Sequence, residues 1–201
     1  LFLSRSVIMG PCRVGERPAG KAMEERDFFC DELATTPRPD VGLVLVTGAT
    51  GYVGGRLVPE LARRGYRVRA VTRAGASAYQ AKWPGADWVE ADALKPETLD
   101  CALAGVDTAY YLIHSLMLSV RRFAAADLEA ARNFRLAAAR QGVRRIIYLG
   151  GLGDVRAPLS PHLHSRMQVA EELGRGPAAL TILGAAIIIG SGSASYEIIA
   201  G

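Results

Sequence analysis

The stretch Val44-Leu-Val-Thr-Gly-Ala-Thr-Gly-Tyr-Val-Gly-Gly55 decides the fold of this chain, because an apolar, β-branched run enters glycines at 48, 51 and 54 and then a helical pattern. Each glycine has its own task. Gly48 allows a sharp turn out of the strand, Gly51 lets backbone approach an anion that a Cβ would block, and Gly54 lets the following helix pack closely. The N–H groups at the start of that helix, at the positive end of its dipole, then suit a pyrophosphate. Tyr52 to Arg64 reads as the helix, with Val53, Leu57 and Leu61 on one face and Pro59 inside it. The pattern is that of a dinucleotide-phosphate site, with contacts expected on Gly48, Thr50, Gly51, Tyr52, Val53 and Gly54. A glycine-rich turn with no ligand is the plainer alternative, since Gly makes up 22 of 201 residues.

Outward from this turn, from Val41 on, strand-like and helix-like segments alternate at the spacing of βαβ units. Strands are expected near 43–47, 66–72, 87–90, 107–113, 144–149 and 180–188. Ala109-Tyr-Tyr-Leu-Ile113 and Ile146-Ile-Tyr-Leu149 are continuous apolar runs, as a sheet covered on both faces requires. The expected fold is α/β: a Rossmann-type doubly wound parallel sheet with helices on both faces. Val120 to Gln141 forms the longest predicted helix, with Val120, Ala124, Leu128, Ala131, Phe134 and Ala138 in one apolar stripe and Gly142 as its C-cap. Asp127 falls within that stripe and therefore needs a hydrogen-bond partner or a place beside a cofactor. Pro96 opens a shorter helix with Leu99, Ala102 and Leu103 inward.

Composition narrows the function classes. Half of the residues are hydrophobic and 22% charged, enough for one substantial core. The net charge of +4 is spread out, with tight basic pairs only at 63–64, 121–122 and 144–145, so no nucleic-acid stripe is expected. Cys12, Cys30 and Cys101 are widely spaced, which suggests neither a disulfide framework nor a metal site and fits the reducing cytoplasm. The most apolar tract, Ala178 to Ile189, is too short for a membrane span. Residues 1–40, with Pro11, Pro18, Pro37 and Pro39, read as a poorly ordered extension holding a short helix through Glu24 to Leu33, and 41–201 as the nucleotide-binding domain. A protein-interaction role would rest on that extension alone.

The residue ending the second strand distinguishes the two nicotinamide dinucleotides: an acid there receives the adenosine 2′-hydroxyl, and Arg accommodates a 2′-phosphate. Tyr66-Arg-Val-Arg-Ala-Val-Thr-Arg73 ends in a base, which favours NADP(H), with NAD(H) the alternative; Arg73 could also be a plain solvated strand end. Asp92, after the third strand, stands where a carboxylate could receive the adenine amino group, or could cap the turn before Pro96.

Thr47-Gly-Ala-Thr-Gly-Tyr-Val-Gly54, Asp92, Gly105-Val-Asp107 and Arg144-Arg-Ile-Ile-Tyr-Leu149 together resemble the extended and atypical short-chain dehydrogenase/reductase superfamily over residues 42–201. Tyr110-Tyr-Leu-Ile-His-Ser115, Leu149-Gly-Gly-Leu-Gly153, Leu159-Ser-Pro-His-Leu-His164 and Gly190-Ser-Gly-Ser-Ala-Ser-Tyr196 resemble a bacterial subgroup of NAD(P)H-binding, epimerase-like proteins, whose members continue past the point where this chain stops. The resemblance implies a dinucleotide cofactor, a small organic substrate, and oxidoreduction or epimerisation. It also implies a Tyr and a Lys four apart on a helix with a Ser on strand five. Here His162 and Arg166 stand at the Tyr and Lys positions, and Gly150 or Gly151 at the Ser position. Either His162 donates the proton while Arg166 holds a ribose or substrate anion, or the domain only binds nucleotide, as NmrA-like sensors and the accessory subunit of respiratory complex I do. His114, after strand four, is a second candidate acid, and Ser191 and Ser193 could meet a nicotinamide amide or substrate.

Overall fold

The computed structural model describes residues 30, 33, 35–114, 120–152, 160–190 and 193. Of the expected helix at 24–33 only residues 30 and 33 are described, neither of them helical, and Ser191 falls outside the described residues. The chain divides into a unit ending at Asp31 and a second unit, Glu32–Gly201, described below.

Six parallel strands form one sheet: β1 (Leu43–Val46), β2 (Arg67–Thr72), β3 (Asp87–Glu90), β4 (Val106–Tyr111), β5 (Arg145–Gly151) and β6 (Ala179–Ala185). Their order across the sheet is β3-β2-β1-β4-β5-β6. The connecting helices are α1 (Gly54–Arg63), α2 (Ala76–Lys82), α3 (Leu99–Leu103, entered through a 3-10 turn at Pro96–Thr98), α4 (Val120–Arg140) and α5 (Pro161–Gly174). The doubly wound α/β sheet expected from the sequence is present. Strand limits moved by up to three residues; β6 ends at Ala185 rather than 188, and α1 begins at Gly54 rather than Tyr52 because the glycine turn occupies the residues between.

Alternating side chains of β1 build two cores. Leu43 and Leu45 join Leu103, Tyr111, Phe134, Ile146, Tyr148 and Leu173 under α3, α4 and α5. Val44 and Val46 join Val58, Leu61, Val68 and Trp88 under α1 and α2. All four residues of β1 are buried, as its unbroken apolar run required. Ion pairs lock the periphery: Arg144 to Asp107 at 2.5 Å ties the start of β5 to β4, and Arg135 holds buried Glu172 at 2.9 Å between α4 and α5. Thr35 Oγ1 accepts from Arg64, and the Arg38 N–H donates to Tyr66 Oη, so residues 35 and 38 hydrogen-bond to the α1–β2 region.

The direction in which strands are added to the sheet reverses at β1. From it the sheet grows one way through β2 and the other way through β4, which opens a crevice beyond the carboxyl ends of β1 and β4. Thr47 holds the crevice's floor. Its buried hydroxyl donates to the Tyr110 carbonyl at 3.1 Å and accepts from the Leu112 N–H at 3.0 Å, fastening β1 to β4 one residue before the turn.

Candidate functional site

The glycine turn is built as the sequence requires. Gly48 has φ +62°, and a Cβ there would lie 2.8 Å from the Leu112 carbonyl oxygen. A Cβ on Gly54 would lie 2.2 Å from the Gly48 oxygen and 2.7 Å from Ala49 Cα, so α1 rests directly on the turn. Gly51 meets only the Gly48 oxygen, at 3.2 Å, and faces the cavity. Val53 is the N-cap and offers no side-chain cap, and the N–H groups of Tyr52, Val53 and Gly54 donate to no described residue. Three unused donors at a helix N-terminus, reached without a Cβ, fit a pyrophosphate. The Tyr52 ring is covered by Arg56 at 3.7 Å, and its hydroxyl packs against Gly190, where a Cβ would come within 2.1 Å.

A cavity of about 660 Å³ runs from this turn along the crevice, lined by Thr47, Gly48, Thr50 and Gly51, by Thr72, Arg73 and Ala74, by Asp92, Ala93 and Leu94, and by Leu112, Ile113 and His114. Arg73 is exposed at the end of β2, with no hydrogen bond or ion pair to a described residue. Asp92 takes the turn-capping role read from the sequence and also lines the cavity. Its Oδ1 accepts from the Leu94 N–H at 3.0 Å, which fixes the turn before Pro96, while the residue still lines the cavity. Asn133 of α4 supports the same turn by donating to the Ala93 carbonyl at 2.9 Å. No local pattern in the sequence gives Asn133 or Thr47 a role at this site.

Beyond the cavity's far end the candidate catalytic residues meet. His114 leaves β4, His162 lies in the first turn of α5, and their rings touch edge to face with centroids 4.9 Å apart. Ser160 caps that turn by accepting from the Leu163 N–H, and Pro161 fills the first helical position. Asp127, buried in α4, points Oδ2 at His114 Nδ1 across 3.7 Å. Arg166 is held at the end of β5: it donates to the Leu149 carbonyl and lies 5.4 Å from the Tyr148 ring. At the expected Ser position, a Cβ on Gly151 would come within 2.7 Å of the Leu163 side-chain tip, which would have to shift, while one on Gly150 would meet nothing closer than Tyr148 at 3.3 Å. Ser193 is buried and its Oγ accepts from the Gly190 N–H at 3.2 Å, so it serves the loop.

Electrostatics separates the groups that can exchange protons from those that cannot. Burial pushes Tyr148 up to about 12 and raises Tyr111 well above the ordinary phenol range, so both stay protonated phenols near neutrality. The His162 imidazole is held below its ordinary 6.5 by partial burial first, then by the facing His114 and Arg166, against an opposing pull from Asp127. The unfolded chain therefore binds this proton more tightly than the folded one. Stability contributed at His162 is full above pH 6.5 and declines as pH falls below it. Thermal unfolding followed across that window should show a smaller pH slope in His162→Asn than in the parent; an unchanged slope would remove this assignment.

The family described as NAD(P)H-binding matches residues 48–175, from the first glycine of the turn through α5. The chain belongs to that NAD(P)H-binding family. Its expected resemblance to the short-chain dehydrogenase/reductase class is borne out by relatives. It is 33% identical over 122 residues to a 3-beta-hydroxysteroid dehydrogenase of Mycolicibacterium neoaurum, a match covering 56% of this chain and 33% of that one. Among solved structures, a Bacillus halodurans protein described as an NAD-dependent epimerase/dehydratase superimposes with TM-score 0.66 at 24% identity, over 76% of this chain and 74% of that one. The Citrobacter triphenylmethane reductase complexed with NADP(H) superimposes with TM-score 0.60 at 24% identity, over 72% and 49%. This NAD(P)H-binding chain spans about a third of the length of the curated relatives it matches first. No helix among the described residues is long and apolar enough to cross a membrane.

Proposed function

We propose that the chain is the nucleotide-binding part of an NADP(H)-preferring oxidoreductase or epimerase acting on a small organic substrate. The observation that carries this reading is one continuous cavity joining the glycine turn, Arg73 and Asp92 at one end to His114 at the other. A cofactor held there supplies hydride chemistry. The chain's own residues divide the remaining work. The Tyr52–Gly54 N–H groups receive the pyrophosphate, Arg73 receives the 2′-phosphate, Asp92 receives the adenine amino group through the oxygen not used in its turn, and the histidine pair handles the proton. Arg166, fixed on Leu149, keeps the end of β5 in place beside them.

Fluorescence titration with NADPH and with NADH tests the reading. NADPH is expected to bind more tightly, and Arg73→Glu to weaken NADPH by roughly 10- to 100-fold while changing NADH less than about threefold, since charge-assisted contacts to the 2′-phosphate are the ones lost. Equal affinity of the parent for both would remove the role of Arg73. Binding of neither by the folded protein would overturn the proposal.

A further inference from the structure

Asp127 has a cost that packing alone does not offset. Its carboxylate is buried, at 7% side-chain exposure, on the otherwise apolar inner face of α4 beside Ala130, Ala131 and Phe134. Its Oδ1 has no hydrogen-bond partner among the described residues, and neither has the buried hydroxyl of Tyr111. A buried carboxylate without full compensation is destabilising, and such orphaned polar atoms concentrate where a site needs them. The group its Oδ2 faces is His114 Nδ1, at 3.7 Å. That separation is about half an ångström beyond hydrogen-bond reach, and contacts of this kind commonly tighten when a ligand binds.

The three side chains are graded in exposure. Asp127 is buried, His114 is one-fifth exposed and lines the cavity, and His162, in edge contact with His114, is exposed and outside the cavity lining. They come from three separate elements, the end of β4, the middle of α4 and the first turn of α5. Described groups facing the pair are Asp127 from α4 and Arg166 from α5.

We propose that Asp127 is a positioning residue that takes the Nδ1–H of His114, so that Nε2 of His114 faces the cavity as the proton donor, and that His162 restores the proton from solvent. This rests on the nicotinamide-dependent reading above and reassigns within it the donor role first given to His162. The dinucleotide, when bound, would supply a hydride to a substrate carbonyl carbon and be left oxidised; the C=O π pair moves to oxygen, and that oxygen takes the proton from the His114 imidazolium at Nε2. His114 is left neutral with its Nδ1–H on Asp127. One proton returned through His162 completes the cycle. The logic is that of any buried carboxylate that fixes an imidazole's tautomer and orientation.

The decisive measurement needs no turnover. Nitrogen NMR of the protein labelled at histidine, at a pH where the rings are neutral, is expected to find the His114 proton on Nδ1, and in Asp127→Leu on Nε2. A parent protein with the His114 proton on Nε2 overturns the proposal whether or not the variant folds. In NADPH oxidation with a panel of aldehydes as the probe, Asp127→Asn is expected to lower kcat about 100-fold, as loss of general acid catalysis does, with NADPH affinity by fluorescence unchanged within about twofold. An affinity loss matching the rate loss makes Asp127 structural and overturns it, as does absence of turnover in a parent that binds NADPH. Failure of NADPH to bind would instead sink the cofactor reading, and the tautomer result would stand apart from it.

Discussion

Gly54→Ala is expected to lower NADPH affinity by on the order of 100-fold or more and to reduce thermal stability at the same time. The added methyl would lie 2.2 Å from the Gly48 oxygen, 2.7 Å from Ala49 Cα and 2.8 Å from the Gly48 carbonyl carbon. Carbon atoms prefer separations of about 3.5–4.0 Å, and all three neighbours are backbone, so no rotamer change relieves the overlap. The start of α1 must withdraw from the turn by an ångström or more. Overpacking of this kind costs about 1–3 kcal/mol, and displacing the Tyr52–Gly54 N–H groups by an ångström accounts for the affinity loss. Gly51→Ala separates the two effects. Its Cβ meets only the Gly48 oxygen at 3.2 Å, at a φ outside the left-handed region, so the fold should keep nearly the parent's Tm. NADPH binding should still fall, because the methyl enters the cavity. A Gly51→Ala protein with parental affinity would show that no pyrophosphate approaches there, and a Gly54→Ala protein with parental Tm would show that the turn yields more readily than its contacts indicate.

Local pattern made the nucleotide end of the site legible. One strand, one turn and one helix start lie within a dozen residues, so glycine spacing and apolar runs carry nearly all the information, and Arg73 and Asp92 follow from strand ends. That Asp92 caps its turn through one carboxylate oxygen while still lining the cavity was hidden, because sequence names only the residue. Asp127 was conspicuous as a charge on an apolar stripe, yet its partner could not be named: His114 lies 13 residues earlier and is brought to it only when α4 folds back over β4. The His114–His162 contact spans 48 positions and depends on where α5 docks, which no periodicity encodes. Gly150 or Gly151 read as a missing catalytic Ser; at Gly151 the Leu163 side chain occupies the space beside the backbone, a contact no local pattern encodes.

Phe134→Ala should give the largest loss of stability of any single truncation among the described side chains of α4. Phe134 is fully buried, while the other buried apolar residues among the described side chains of that helix are Ala130, Ala131, Ala137 and Ala138, so it is the one large side chain among them. It meets Tyr111 edge to face with centroids 5.0 Å apart, and Tyr111 in turn approaches Tyr148 at 6.0 Å. Truncating a buried Phe costs about 3–5 kcal/mol, a large share of the 5–15 kcal/mol a domain of this kind has in hand. Denaturant unfolding should show a lowered midpoint at unchanged m; a loss below about 1 kcal/mol would mean that neighbours collapse into the space. Phe134 also lines the cavity, which makes the same variant informative about the ligand. NADPH at 100 times its Kd stabilises a binding-competent fold by about 2.7 kcal/mol, and that increment depends on saturation rather than on the starting stability. At one fixed NADPH concentration, a variant that gains as much as the parent has lost only packing. A smaller gain means that the wall supplied by Phe134 holds the cavity in its binding shape, and that the core under α4 and the nucleotide site are one structural unit.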